Sequence, residues 1–73
     1  MNMQEFGDSL RKRREFLSLR QEDLAEMSQV TIKTIQMIEN GKGNPSLKTL
    51  EKLTGILGMT IDLHVKQLNP EQS

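Results

Sequence analysis

Apolar residues recur at helical spacing in four blocks of this chain and alternate with polar ones in a fifth. The first block covers about residues 4–17, where Phe6, Leu10 and Leu17 share one face. Arg14 falls on that same stripe, and a charge on an apolar face needs a partner. The second block, about 21–27, turns Leu24, Ala25 and Ser28 inward, with Ala25 small where a crossing helix must come close. The third, about 32–40, starts after Thr31, whose hydroxyl can accept an early amide N–H as an N-cap. Gly41, Gly43 and Pro45 then break the pattern, and Ser46 caps a fourth helix. There Leu47, Leu50, Leu53 and Leu57 form a stripe, with Ile56 beside it, and Gly58 is suited to end the helix in a left-handed conformation.

Residues 60–66 change period. Ile61, Leu63 and Val65 lie on one side, and Asp62, His64 and Lys66 on the other, which predicts a strand over about 59–66. A lone strand has unpaired backbone groups, and no second strand pattern exists in the chain. The expected solution is pairing with the same strand of a second copy across a two-fold axis, with Ile61, Leu63 and Val65 as dimerisation residues. A fifth short helix, in which Ile61, Val65 and Leu68 share a face, is the alternative. The expected fold class is therefore mostly α: a four-helix domain over 1–68 with one C-terminal β-strand pairing across a homodimer. Residues 69–73 are polar, contain a proline, and read as a disordered tail.

Composition narrows the function classes. Seventy-three residues bury only about 60% of their unfolded surface, so a second copy would add needed burial. The absence of cysteine removes thiol chemistry and fits a reducing, cytoplasmic location. With one histidine and neither tryptophan nor tyrosine, no catalytic set or metal set is legible, and no cofactor is expected. His64 has no second ligand beside it and reads as an exposed strand residue. No apolar run approaches the roughly 20 residues of a membrane span. Net charge is zero, yet Arg11, Lys12, Arg13 and Arg14 are consecutive, while Glu22, Asp23 and Glu26 cluster. A neutral chain can still bind nucleic acid when its cations share a face, because affinity follows local phosphate contacts. The basic run alone is weak evidence, since it also fits a solvated helix surface.

The third helix has two distinct faces. Ile35, Ile38 and Glu39 fall inward, while Lys33, Met37 and Asn40 point outward, flanked by Thr34 and Gln36. Glu39 on one apolar face and Arg14 on another predict a partly buried ion pair fixing how the first and third helices meet; two separately snorkelling side chains are the alternative. On the outward face, Gln36 can hydrogen-bond a purine edge and Lys33 can donate to guanine or phosphate. Met37 and Ile32 can instead pack against thymine methyls, although burial against the second helix suits Ile32 as well. Gln21, Thr34, Asn40, Lys42 and Asn44 read as phosphate clamps at the groove rims, with Gln21 at a helix N-terminus.

Gln21, Leu24, Ala25, Val30, Thr31, Thr34, Ile35, Ile38, Glu39, Gly41, Lys42, Pro45, Leu50 and Leu53 stand where the phage-repressor-like (XRE) helix-turn-helix family has its pattern, and the chain resembles that family from about residue 6 to 58. The resemblance implies a helical bundle, a homodimer, and a third helix in the major groove of a palindromic double-stranded DNA operator. By position, Gln21, Thr31, Ile32, Lys33, Thr34, Gln36, Met37, Asn40 and Lys42 match the family's DNA-contacting sites, and Arg14 and Glu39 match its internal ion pair. Two positions depart from the pattern. Arg20 stands where the family caps its second helix with Ser or Thr, and phosphate is its expected partner. Gln29 stands where the turn usually has glycine, at a cost of about 1 kcal/mol in left-handed backbone. The C-terminal strand also resembles HipB-type antitoxins, which implies repression of its own operon and a kinase-like toxin as a possible partner. A stand-alone repressor without a toxin, and a protein-interaction module that no longer binds DNA, are the other expectations; an enzyme is not expected.

Overall fold

Each helix begins and ends where a capping group can satisfy its free backbone groups. The computed structural model describes residues 2–62, and in it α1 (Met3–Phe16), α2 (Gln21–Ser28), α3 (Ile32–Glu39) and α4 (Leu47–Leu57) follow in order. Asn2, Thr31 and Ser46 each accept a backbone N–H three residues on, which caps α1, α3 and α4. At the end of α3, Gly41 adopts φ +74°, so that its N–H reaches the Ile38 carbonyl while the Lys42 N–H reaches that of Met37. This paired closure stops the helix and aims the chain into the 42–45 loop. Gly58, at φ +69°, ends α4, and the Met59 N–H returns to the Thr54 carbonyl.

The helices enclose one core of Leu10, Leu24, Val30, Ile35, Ile38, Leu53 and Leu57. Burying each such side chain is worth about 1.5–3 kcal/mol, so the core is the main source of stability in so short a chain. Met3, Phe6, Leu19, Ala25, Leu50, Ile56 and Met59 pack around it, half-buried. Two residues of the predicted stripes lie outside the core. Leu17 is the C-cap of α1, and Leu47, in the first turn of α4, is 60% exposed because the stripe begins beyond the layer it packs on.

The expected C-terminal strand is corrected. The described part, 59–62, forms no strand, and the described residues are all-α. The alternation itself is present: Met59 and Ile61 are half-buried, Thr60 and Asp62 exposed. Its apolar side is used within the chain, where Met59 packs on the core and Ile61 borders a groove with Phe6 and Leu10. A period-two pattern reports which side is covered, not whether a ladder exists to cover it. Leu63, His64 and Val65 lie outside the described residues, as do the alternative fifth helix beyond Asp62 and the tail.

Candidate nucleic-acid interface

Three helices are locked together behind the outward face of α3. Arg14 on α1 donates from Nε to Glu39 Oε2 at 2.7 Å and from its second terminal nitrogen to Oε1 at 2.9 Å, a buried two-point pair. Its third donor reaches the Leu19 carbonyl at 2.7 Å. The hydrogen bonds to Glu39 hold the Arg14 guanidinium pKa above its ordinary value, against the lowering effect of burial. The predicted Arg14–Glu39 pair is therefore in place. Gln21 adds a partner that sequence reasoning missed: its Nε2 donates to Glu39 Oε1 at 3.1 Å, tying the start of α2 to the end of α3. One of the two amide hydrogens of Gln21 is committed in this way, which leaves the other for an outside acceptor.

With Ile35, Ile38 and Glu39 buried, α3 exposes Ile32, Lys33, Gln36 and Met37, and Asn40 follows as its exposed C-cap. Lys33, Met37 and Asn40 are the residues the sequence places outward, with Gln36 on the flank, whereas it leaves Ile32 between exposure and burial. Ile32 is 40% exposed, so it is not sealed against α2, and Met37 is exposed to the same degree. Thr31 donates its hydroxyl to Thr34 Oγ1 at 2.9 Å while accepting the Thr34 N–H, and the Thr34 hydroxyl keeps its own hydrogen to donate. Lys33 and Lys42 are exposed, and among the described residues neither pairs with a carboxylate.

Two shallow hollows flank this face. One, bordered by Leu19, Arg20, Gln21, Glu22 and Ile32, lies at the start of α2. The other, about 170 Å³, lies between α3 and its following loop and is bordered by Thr34, Met37, Lys42, Gly43, Asn44 and Pro45. The face thus brings Ile32 beside Gln21 on one side, and Met37 beside Lys42 and Asn44 on the other. The Gly41 and Lys42 amides are occupied by the closure of α3. At this edge the Lys42 side chain is the charged group.

Three other basic residues, Arg20, Arg11 and Arg13, have partners of their own. Arg20 donates to both Asp23 carboxylate oxygens at 3.1 Å and pairs with Glu22 at 3.0 Å, so it neutralises its own helix rather than standing ready for phosphate. Asp23 also accepts the Arg20 N–H at 2.8 Å and caps α2 from inside; its bonds to the Arg20 side chain and then to the backbone N–H hold it below the usual carboxylate range. Arg11 pairs with Asp8. Arg13 lies 5.3 Å from the centre of the Phe16 ring and donates to the Leu57 carbonyl at 2.8 Å, closing the end of α4. A helix C-terminus draws cations, but which one arrives depends on a crossing angle that residue spacing does not encode. Among the described residues no cluster of metal-ligating side chains occurs, and no helix there is long and apolar enough to cross a membrane.

A family model described as helix-turn-helix matches residues 10–64. The chain is similar to the HTH-type transcriptional regulator DdrOP3 of Deinococcus deserti, 35% identical over 54 residues that cover 74% of this chain and 42% of that protein. It is also similar to the SPbeta prophage-derived uncharacterized HTH-type transcriptional regulator YonR of Bacillus subtilis, 38% identical over 61 residues, 84% of this chain and 56% of that one. The chain spans about half the length of the curated relatives it matches.

Proposed function

This chain belongs to the phage-repressor-like (XRE) helix-turn-helix family, and from that premise we propose that it is a sequence-specific DNA-binding transcriptional regulator acting as a repressor. The observation that carries this reading is the outward stripe of α3. It is exposed, lies between two rims with phosphate-binding chemistry, and is held rigid from behind by the Arg14–Glu39–Gln21 network. Gln36 and Lys33 supply direct base contacts, while Gln21, Thr31, Thr34, Asn40, Lys42 and Asn44 grip phosphates on either side. Repression follows from occupancy: a protein seated in the major groove of a promoter excludes other proteins from it.

Two copies on a two-fold operator belong to the same proposal. Among the described residues an apolar groove of about 430 Å³ lies open between α1 and the segment after α4, bordered by Phe6, Leu10, Met59 and Ile61, and supports association of a second chain. The narrower expectation of a HipB-type antitoxin leaned on the C-terminal strand. With 59–62 forming no strand, the proposal stops at a regulator and does not include a toxin.

The test is fluorescence anisotropy of labelled duplexes from the region upstream of the gene, titrated with protein between about 50 and 200 mM salt. Affinity is expected to fall at least about tenfold over that range, with two chains bound per duplex at saturation. Lys33→Ala combined with Gln36→Ala should abolish sequence preference while the circular dichroism spectrum stays unchanged. If no duplex binds at the lowest salt, the regulator reading is wrong and a protein partner for the same face becomes the better one.

A further inference from the structure

Methionine is the only sulfur-bearing residue of this chain, which has no cysteine, and it occurs five times. Its thioether is therefore the group that a peroxide oxidises most readily here. The five sulfurs have different surroundings. Met1 lies outside the described residues. Met3 and Met59 are half-buried against the core. Met27, on α2, is 53% exposed and borders neither of the hollows that flank α3. Met37 is 40% exposed and, among the described residues, is the one methionine on the candidate interface.

The Met37 side chain is also held in place. Measured from the position a Cβ would take on Gly43, its Cε is 3.3 Å away and its own Cβ 3.6 Å. The sulfur between those carbons thus lies over the 42–45 loop, in the hollow bordered by Thr34, Lys42 and Asn44. A thioether there is a weak acceptor and in effect an apolar wall. A sulfoxide is polar and chiral, and its oxygen accepts hydrogen bonds strongly. The Thr34 hydroxyl, Lys42 ammonium and Asn44 amide are the donors that the regulator reading sets against phosphate. An acceptor carried on Met37 draws on those same donors. It also sets a partly negative oxygen where a phosphate oxygen has to come.

We propose that Met37 is a site of reversible oxidation through which a peroxide releases this protein from DNA. The sulfur lone pair attacks one peroxide oxygen, and the S–O bond forms as the O–O bond breaks. The proton on the transferred oxygen passes to the departing hydroxide, so the products are the sulfoxide and water. The electron pair of the new bond comes from sulfur, which is oxidised, while the peroxide is reduced. A helix seated in the groove covers Met37, so the free protein is the form that reacts. This inference rests on the regulator reading and adds a means of regulating it.

The experiment treats the full chain with hydrogen peroxide and titrates it by anisotropy on a duplex enriched from a random pool. Circular dichroism checks that the fold survives. Affinity should fall about tenfold, the cost of one misplaced polar group at an interface. Met27→Leu should lose affinity to the same degree, whereas Met37→Leu, whatever its affinity beforehand, should lose none. Leucine is a volume-conserving replacement at both positions. Methionine sulfoxide reductases A and B together should restore the treated protein, and either alone about half of it, since each reduces one epimer. Peptide mass mapping gives a second readout: excess duplex should slow oxidation at Met37 and leave Met27 unchanged. If Met37→Leu loses as much affinity as the unsubstituted chain, the effect lies elsewhere and the proposal is overturned. If duplex shields Met37 yet its sulfoxide binds as tightly, the switch is wrong while the regulator reading stands. Oxidation of Met37 at an unchanged rate under saturating duplex also overturns the switch. Failure to enrich any duplex overturns both readings.

Discussion

At Gly7 a Cβ would overlap the carbonyl oxygen of Ile38 and come within 3.1 Å of Glu39 Cα, so α1 meets α3 backbone to backbone. The obstacle is main chain, which cannot swing aside as a side chain can. Gly7→Ala should therefore destabilise the domain by about 2 kcal/mol, even though alanine favours helix by about 1 kcal/mol over glycine. Gly55, on the exposed side of α4, has nothing within 4 Å of a Cβ, and Gly55→Ala should stabilise by about that propensity difference. Urea midpoints of the two variants should move in opposite directions, and movement in the same direction would discard the close approach at Gly7. None of this was legible beforehand. A glycine in the middle of a helix looks like a weak point until the helix crossing it is known. Arg14 and Glu39 were legible because a charge on an apolar stripe is anomalous by itself, and two such anomalies of opposite sign explain each other.

Among the elements, the four helices were readable to within about a residue because their caps are local. Thr31, Ser46 and Gly58 act on backbone groups within one turn, and such chemistry is present in the sequence itself. The C-terminal strand failed for the opposite reason, since a ladder depends on a distant partner that local alternation cannot reveal. The turn between α2 and α3 is an intermediate case. Gln29 takes the left-handed conformation expected of it, at φ 61° and ψ 27°. Its side chain partly offsets the strain by donating to the Glu26 carbonyl at 2.9 Å. Gln29→Gly relieves roughly 1 kcal/mol of strain but loses that bond and adds freedom to the unfolded chain. These terms nearly cancel, so a change of less than about 0.5 kcal/mol is expected, read as an almost unmoved thermal midpoint with unchanged DNA affinity. A fall in midpoint would mean that the side-chain bond outweighs the strain.

The whole molecule is held by two kinds of attachment. Polar contacts of Arg14, Glu39 and Gln21 join α1, α2 and α3 across the back of the exposed stripe, in addition to the shared core. For α4 the attachment is almost wholly apolar, through Leu50, Leu53, Ile56 and Leu57. Among the described residues one side-chain hydrogen bond, from Arg13 to the Leu57 carbonyl, ties it to another helix. Most of the candidate site was legible because it lies on one helix with a single phase, so the buried positions imply the exposed ones. The connection of Gln21 to Glu39 was not, because it spans two helices whose separation depends on how the bundle closes.

That division of attachments gives the molecule a temperature dependence. Apolar attraction weakens as water cools, whereas charge-assisted hydrogen bonds do not depend on it. On cooling from about 25 °C to about 5 °C, the hold on α4 should loosen before the hold on α3. Amide exchange at Leu53 and Leu57 should then speed up relative to Ile35 and Ile38, after correction for intrinsic rates. An equal change at all four would mean that the core weakens as one body. With the expected order, Arg14 and its partners keep the third helix set in the cold while the fourth begins to slip.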